Sequence, residues 1–193
     1  MTYLRQSGRK CDFARLVLNH ALIMGDIVNH GTSENSTANL MQYGMIEVPF
    51  KCRVDKIGFF AGGEMNSGNF MLALYDSDPV TLVPKNLICA VASTAVAGKP
   101  DTVLQFYAPT TTPIINAGLY YVGIIFSANY AAGTTGGRIF FATFAAAAIN
   151  VWNDAITPWY NQAVGSFTVP NPATPVAYGL QYLFGAALKV TVV

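Results

Sequence analysis

The chain has 193 residues with 11 Lys and Arg against 10 Asp and Glu, a formal net charge of +1, so it carries no overall field to draw a polyanion and no nucleic-acid partner is expected. Hydrophobic residues make up 52% and charged ones 11%, with 17 Gly, 10 Pro, 10 Tyr and 12 Phe, a β-rich, turn-rich profile on a length that suits one domain with an appendage. From Thr102 to Val193 the only charged side chains are Arg138, Asp154 and Lys189, and a soluble surface that poor in charge implies cover by another chain.

The first fifteen residues are locally basic, with Arg5, Arg9, Lys10 and Arg15 against Asp12. From Phe13 to Val28, Phe13, Leu16, Val17, Ala21, Met24, Ile27 and Val28 follow helical spacing after a possible Asp12 cap. Leu18, Leu22 and Ile23 lie on the other side, so the segment is apolar nearly all round and an extended form packed between subunits fits equally. The polar run His30–Asn39 reads as a linker, which sets a boundary between an arm over 1–40 and a domain over 41–193.

Beyond the linker, Ile46, Val48, Phe50, Cys52 and Val54 alternate with Glu47, Pro49, Lys51, Arg53 and Asp55. This period-two pattern predicts one strand over Ile46–Asp55 with a buried face, and Pro49, lacking an N–H, at a sheet edge or bulge. Further strands are predicted at Asp55–Ala61, Phe70–Tyr75, Leu87–Ala92, Thr102–Tyr107, Leu119–Phe126, Arg138–Phe144 and Ala187–Val193, separated by Gly-, Asn-, Asp- and Pro-rich turns. FMLALY and LYYVGIIF do not alternate and suit central strands covered on both faces, whereas the last strand should keep one open face. The expected architecture is all-β, an antiparallel sandwich.

Ala145–Pro175, with an alanine run, both tryptophans and several prolines, is long for a structureless loop and should contact something. Trp152, Trp159 and Tyr160, with Asn153 and Asp154 close by, offer anchors for a neighbouring subunit, stacking platforms for a sugar ring, or a cover over the end of the core.

Catalytic signatures are missing: there is no GxSxG, HExxH, CxxC pair or dinucleotide glycine fingerprint, and no enzyme is expected. His20 and His30 are ten residues apart, too far for a compact ligand pair. Asp76 and Asp78 lack further acidic neighbours and read as turn chemistry rather than a calcium site, so neither metal nor cofactor is expected. Cys11, Cys52 and Cys89 are odd in number and scattered, which suits reduced thiols in or near the core. The apolar stretch Ile114–Phe126 is short of the ~20 residues a membrane helix needs, and Ala155–Leu188 is interrupted by four prolines, so no membrane insertion is expected. Met1–Lys10 followed by a run broken at Arg15, Asn19 and His20 lacks a signal-peptide layout. The sequon Asn35-Ser36-Thr37 is accordingly expected to stay unused.

The stretches VDKIGFFAGGEMNSGNFMLALYDSD, PKNLICAVAS and INAGLYYVGIIFSA, together spanning about Val54 to Asn129, resemble a pattern in jelly-roll domains of tailed-bacteriophage virion proteins. There a strand ending as Leu74-Tyr75-Asp76 does precedes a later strand like Ala117–Ile124. The resemblance implies a jelly-roll sandwich in a non-enzymatic virion component assembled in the host cytoplasm: a capsid decoration, head-fibre or tail-fibre protein. Its implied partners are other virion proteins and itself, as a homotrimer. An arm ahead of a sandwich suits anchoring, with Arg5, Arg9, Lys10, Phe13, Arg15, Leu16 and Val17 gripping the particle. The same pattern occurs in receptor-binding tail proteins and carbohydrate-binding modules, which gives recognition of host glycans as the alternative function.

Overall fold

A computed structural model describes residues 14–17, 21–24, 32–35, 37–62, 68–96, 103–129, 138–143, 159–177, 182–184 and 186–193. Among them there is no helix, and every strand pair is antiparallel. In chain order the strands are β1 (Ala14–Val17), β2 (Ala21–Met24), β3 (Thr32–Asn35), β4 (Leu40–Val48), β5 (Cys52–Gly62), β6 (Asn69–Ser77), β7 (Pro84–Ala90) and β8 (Thr94–Ala95). They continue with β9 (Val103–Tyr107), β10 (Ile114–Ile115), β11 (Gly118–Phe126), β12 (Arg138–Thr143), β13 (Trp159–Ala163), β14 (Val176–Ala177), β15 (Tyr182–Phe184) and β16 (Ala186–Val192). One sheet runs β1-β2-β16-β5-β12-β15, with β9 and β10 on β5 and β3 on β12. The other runs β14-β13-β4-β11-β6-β7, with β8 on β6.

The alternating stretch Ile46–Asp55 is two strands in two sheets, which corrects the expectation of one. Pro49 stands at the corner between β4 and β5, not on an edge or bulge, because a residue without an N–H ends the ladder there and the chain crosses over. The burial alternation survives the crossing: Ile46, Val48, Cys52 and Val54 are all buried, since both strands keep alternate residues on the same shared core.

On β5 the register against β16 then shifts, with Lys189 opposite Lys56 and Val190 opposite Val54, leaving Asp55 as an extra residue. This bulge resets the alternation, so Ile57 and Phe59 point inward as Cys52 and Val54 do. Aromatic rings join the sheets across that core: Phe59 meets Phe70 with centroids 5.1 Å apart, and Tyr107 meets Phe70 at 4.9 Å. Leu188 and Val190 fill it from β16, and Leu72, Val122, Ile124 and Phe126 from β6 and β11.

β11 lies between β4 and β6 and is buried from Tyr121 to Phe126, as a central strand covered on both faces should be. On β16, Leu188 and Val190 are buried on the inner face, while on the outer face Thr191 is exposed, Lys189 half-buried and Ala187 buried, so the open face expected of the last strand is found only toward its end.

Of the two forms open to Phe13–Val28, the described residues take the extended one. β1 and β2 pair with each other, and β2 adds to β16 with Leu22 opposite Leu188. Within the polar run before Asn39, Thr32–Asn35 form β3 and pair with β12.

Candidate functional site

The second sheet buries its outer face as well as its inner one. Met41, Tyr43 and Met45 on β4, Ala73 and Tyr75 on β6, Tyr121 and Ile125 on β11 and Tyr160 on β13 are buried there. Alternation alone would have made this a solvated face. It is dry because residues 164–175, a strap between β13 and β14, lie across it.

The tyrosine hydroxyls of this face are bonded, and that of Tyr75 reaches the strap itself. Tyr43 Oη donates to Gln162 Oε1 at 2.7 Å, Tyr75 Oη to the Pro170 carbonyl at 2.8 Å, and Tyr121 Oη to the Leu82 carbonyl at 2.6 Å. Backbone bonds fix the strap at both margins of the sheet: Val164 N–H donates to Asn39 O at 2.9 Å and Ala173 N–H to Lys85 O at 2.7 Å. Gln162 also accepts from Thr174 N–H and donates to Thr174 Oγ1, each at 2.9 Å.

The rings interlock beneath it, Tyr43 edge-on to Tyr75 at 5.2 Å and Tyr121 edge-on to Tyr160 at 5.7 Å. Gly123 makes room for them, since a Cβ there would fall 3.3 Å from both the Tyr43 and Tyr75 rings and run into Met41. Burial pushes the hydroxyls of Tyr43, Tyr75 and Tyr121 well above the ordinary tyrosine value, so they stay protonated donors.

The strap's outward side is what the molecule presents here. Residues 160–176 contain no Asp, Glu, Lys or Arg, and Gly165, Ser166, Thr168, Asn171, Pro172 and Thr174 are exposed, with Val176 at 66%. A second run, from Ala108 to Gly118, is equally uncharged, exposing Thr110, Thr111, Thr112, Asn116 and Ile114 at 58%. Small polar and apolar groups without charge desolvate easily, and depletion of charge is the compositional mark of an interface core.

Of the residues singled out in the sequence, Tyr160 is 4% exposed and gives its ring to the tyrosine layer, so its faces are not open to a sugar. Trp159 belongs to β13, opposite Gly44 of β4, so part of the 145–175 stretch is a strand. Arg15, Leu16 and Val17 form the end of β1. Trp152, Asn153, Asp154, Arg5, Arg9, Lys10 and Phe13 lie outside the described residues. The strap's exposed Ser, Thr and Asn carried no motif of their own; their only sequence signal is the charge-free run around them.

The acidic pair is turn chemistry. Asp78 accepts from the Val80 and Thr81 N–H groups and from Lys85 Nζ at 2.6 Å, and Asp76 accepts from the Asn86 backbone and side-chain amides. These contacts hold the Asp78 carboxyl well below the usual carboxylate range, with the Lys85 bond the largest cause. Among the described residues no group of His, Cys, Asp and Glu could hold a metal ion. Cys52 and Cys89 are free and buried; burial pushes the Cys89 thiol up to about 12, and the Cys52 thiol up as well. Among the described residues no helix is long and apolar enough to cross a membrane. No protein-family model matches the chain, and no curated protein matches it either.

Proposed function

We propose that this protein is a non-enzymatic structural component of a bacteriophage virion, an oligomeric jelly-roll subunit that decorates the capsid or builds a head fibre. The observation that carries the reading is the uncharged exterior of the strap over the tyrosine layer. A surface fastened by three hydrogen bonds, from the Tyr75 hydroxyl and from the strap's own Val164 and Ala173 amides, is held in place, and an uncharged surface so held loses little side-chain entropy or hydration when a second copy covers it. The resemblance of Val54–Asn129 to virion jelly rolls supplies the particle and the homotrimer. The basic first fifteen residues supply an anchor to other virion proteins. Light scattering of the full chain at several concentrations tests this. A stable trimer is expected, and a monomer at every concentration would overturn the assembly reading.

A further inference from the structure

We propose that the outer face of β5 and β16 docks an acidic segment of a partner protein. Two cations stand directly opposite each other there, Lys56 on β5 and Lys189 on β16. Like charges directly opposed across a pair of strands oppose folding, and among the described residues no anion pairs with either. Among the described residues the ion pairs are Arg53–Asp55 and Lys85–Asp78, and neither involves Lys56 or Lys189.

The surroundings hold the Lys189 charge in place rather than quench it. Lys189 Nζ sits 4.7 Å above the centre of the Phe106 ring, and Phe106 lies opposite Gly58, where a Cβ would come within 2.7 Å of that ring. One row further along, Arg53 stands opposite Thr191 and next to Ile114. Arg53 Nε donates to Asp55 Oδ1 at 2.7 Å, and Asp55 Oδ2 accepts from Thr191 Oγ1 at 2.6 Å, which neutralises and orients the guanidinium. The face thus has two lysines without an ion-pair partner among the described residues, one of them over Phe106 at one end, and Ile114, 58% exposed, at the other end.

That layout fits a peptide with acidic residues flanked by apolar ones. A polyphosphate would need a basic groove and a longer run of cations, and the formal net charge of +1 gives it no steering field. The like-charge pair carries a signature that a merely solvated face lacks: stability and binding should respond to one substitution in opposite directions.

The test uses the full chain, with a short oligoglutamate peptide and heparin as separate probes. On adding oligoglutamate, backbone amide NMR shifts should concentrate at Arg53, Lys56, Lys189 and Thr191. Lys56→Glu should weaken that binding by about tenfold or more while raising the melting temperature, because it turns a repulsive cross-strand pair into an attractive one. Lys56→Gln should fall between the two on both readouts. The proposal is overturned by shifts confined to other surfaces, by no detectable oligoglutamate binding, by unchanged binding in Lys56→Glu, or by heparin binding where oligoglutamate does not.

Discussion

The two sheets of this protein have outer faces built on opposite principles. On the second sheet the outer face is a layer of buried tyrosines under a strap that presents only uncharged groups. On the first, the outer face of β5 and β16 is covered at Gly58 and Ala187 but opens beyond them, where it carries Arg53, Asp55, Lys56, Lys189 and Thr191. The same alternation of residues underlies both, so the difference comes from what lies across the strands. One sheet has a covering segment and turns its outer side chains into a second core; the other leaves them to solvent or to a partner.

The largest separation between the faces should appear on truncating one aromatic from each. Tyr75→Ala removes a fully buried ring from beneath the strap and should lower unfolding free energy by about 3–5 kcal/mol in urea titrations. Phe106→Ala removes a half-buried ring from the open face and should lower it by only about 1 kcal/mol. Equal losses would mean that the strap is not a true cover. Tyr75→Phe, which keeps the ring and deletes the hydroxyl with its bond to the Pro170 carbonyl and its contact with the Tyr43 hydroxyl, should lie near 1 kcal/mol.

High pH should attack the strapped face first. Tyr43, Tyr75 and Tyr121 have folded values raised above the ordinary 10.0 by burial, so their contribution to stability is fully present below pH 10. It is lost as pH climbs beyond that, because the unfolded chain releases the tyrosine protons first. Urea midpoints should therefore hold steady from about pH 7 to 9 and fall steeply above about pH 10. A flat response to about pH 11 would place these hydroxyls in water.

A charge placed on the strap's exterior separates assembly from folding. Thr168→Asp changes an exposed side chain, so the unfolding free energy should move by no more than about 0.5 kcal/mol. Light scattering should nonetheless show the oligomer dissociating. An unchanged oligomer would move the intersubunit surface off the strap.

The smallest effect expected is on the thiols. Cys52 and Cys89 face inward with raised pKa values, and peptide mapping after treatment with a thiol reagent should find both unlabelled until denaturant is added.

Much of the fold was legible in the sequence. Strand positions such as Phe70–Tyr75, Thr102–Tyr107 and Leu119–Phe126 fall within β6, β9 and β11 to within a few residues, because β-branched and aromatic runs between turn residues leave few alternatives. The non-alternating LYYVGIIF correctly indicated cover on both faces. Trp159–Ala163 was not legible as a strand, since WYNQA has no apolar alternation and its pairing with β4 depends on a register that the local sequence does not show. The candidate surface was visible merely as a lack of charge, with nothing to say that residues 164–175 would lie over four tyrosines.

Local chemistry by itself determined the all-β class, the turns at Asp76–Asp78, the buried alternation through Cys52 and the uncharged second half, because each depends on residues adjacent in the chain. Only the tertiary structure decided that Pro49 is a corner between sheets, that Asp55 is a bulge, and that Tyr43, Tyr75, Tyr121 and Tyr160 share one layer. It also decided that Lys56 faces Lys189. These depend on register and on which distant segment crosses which face, and a period-two pattern leaves both open until the strands have paired.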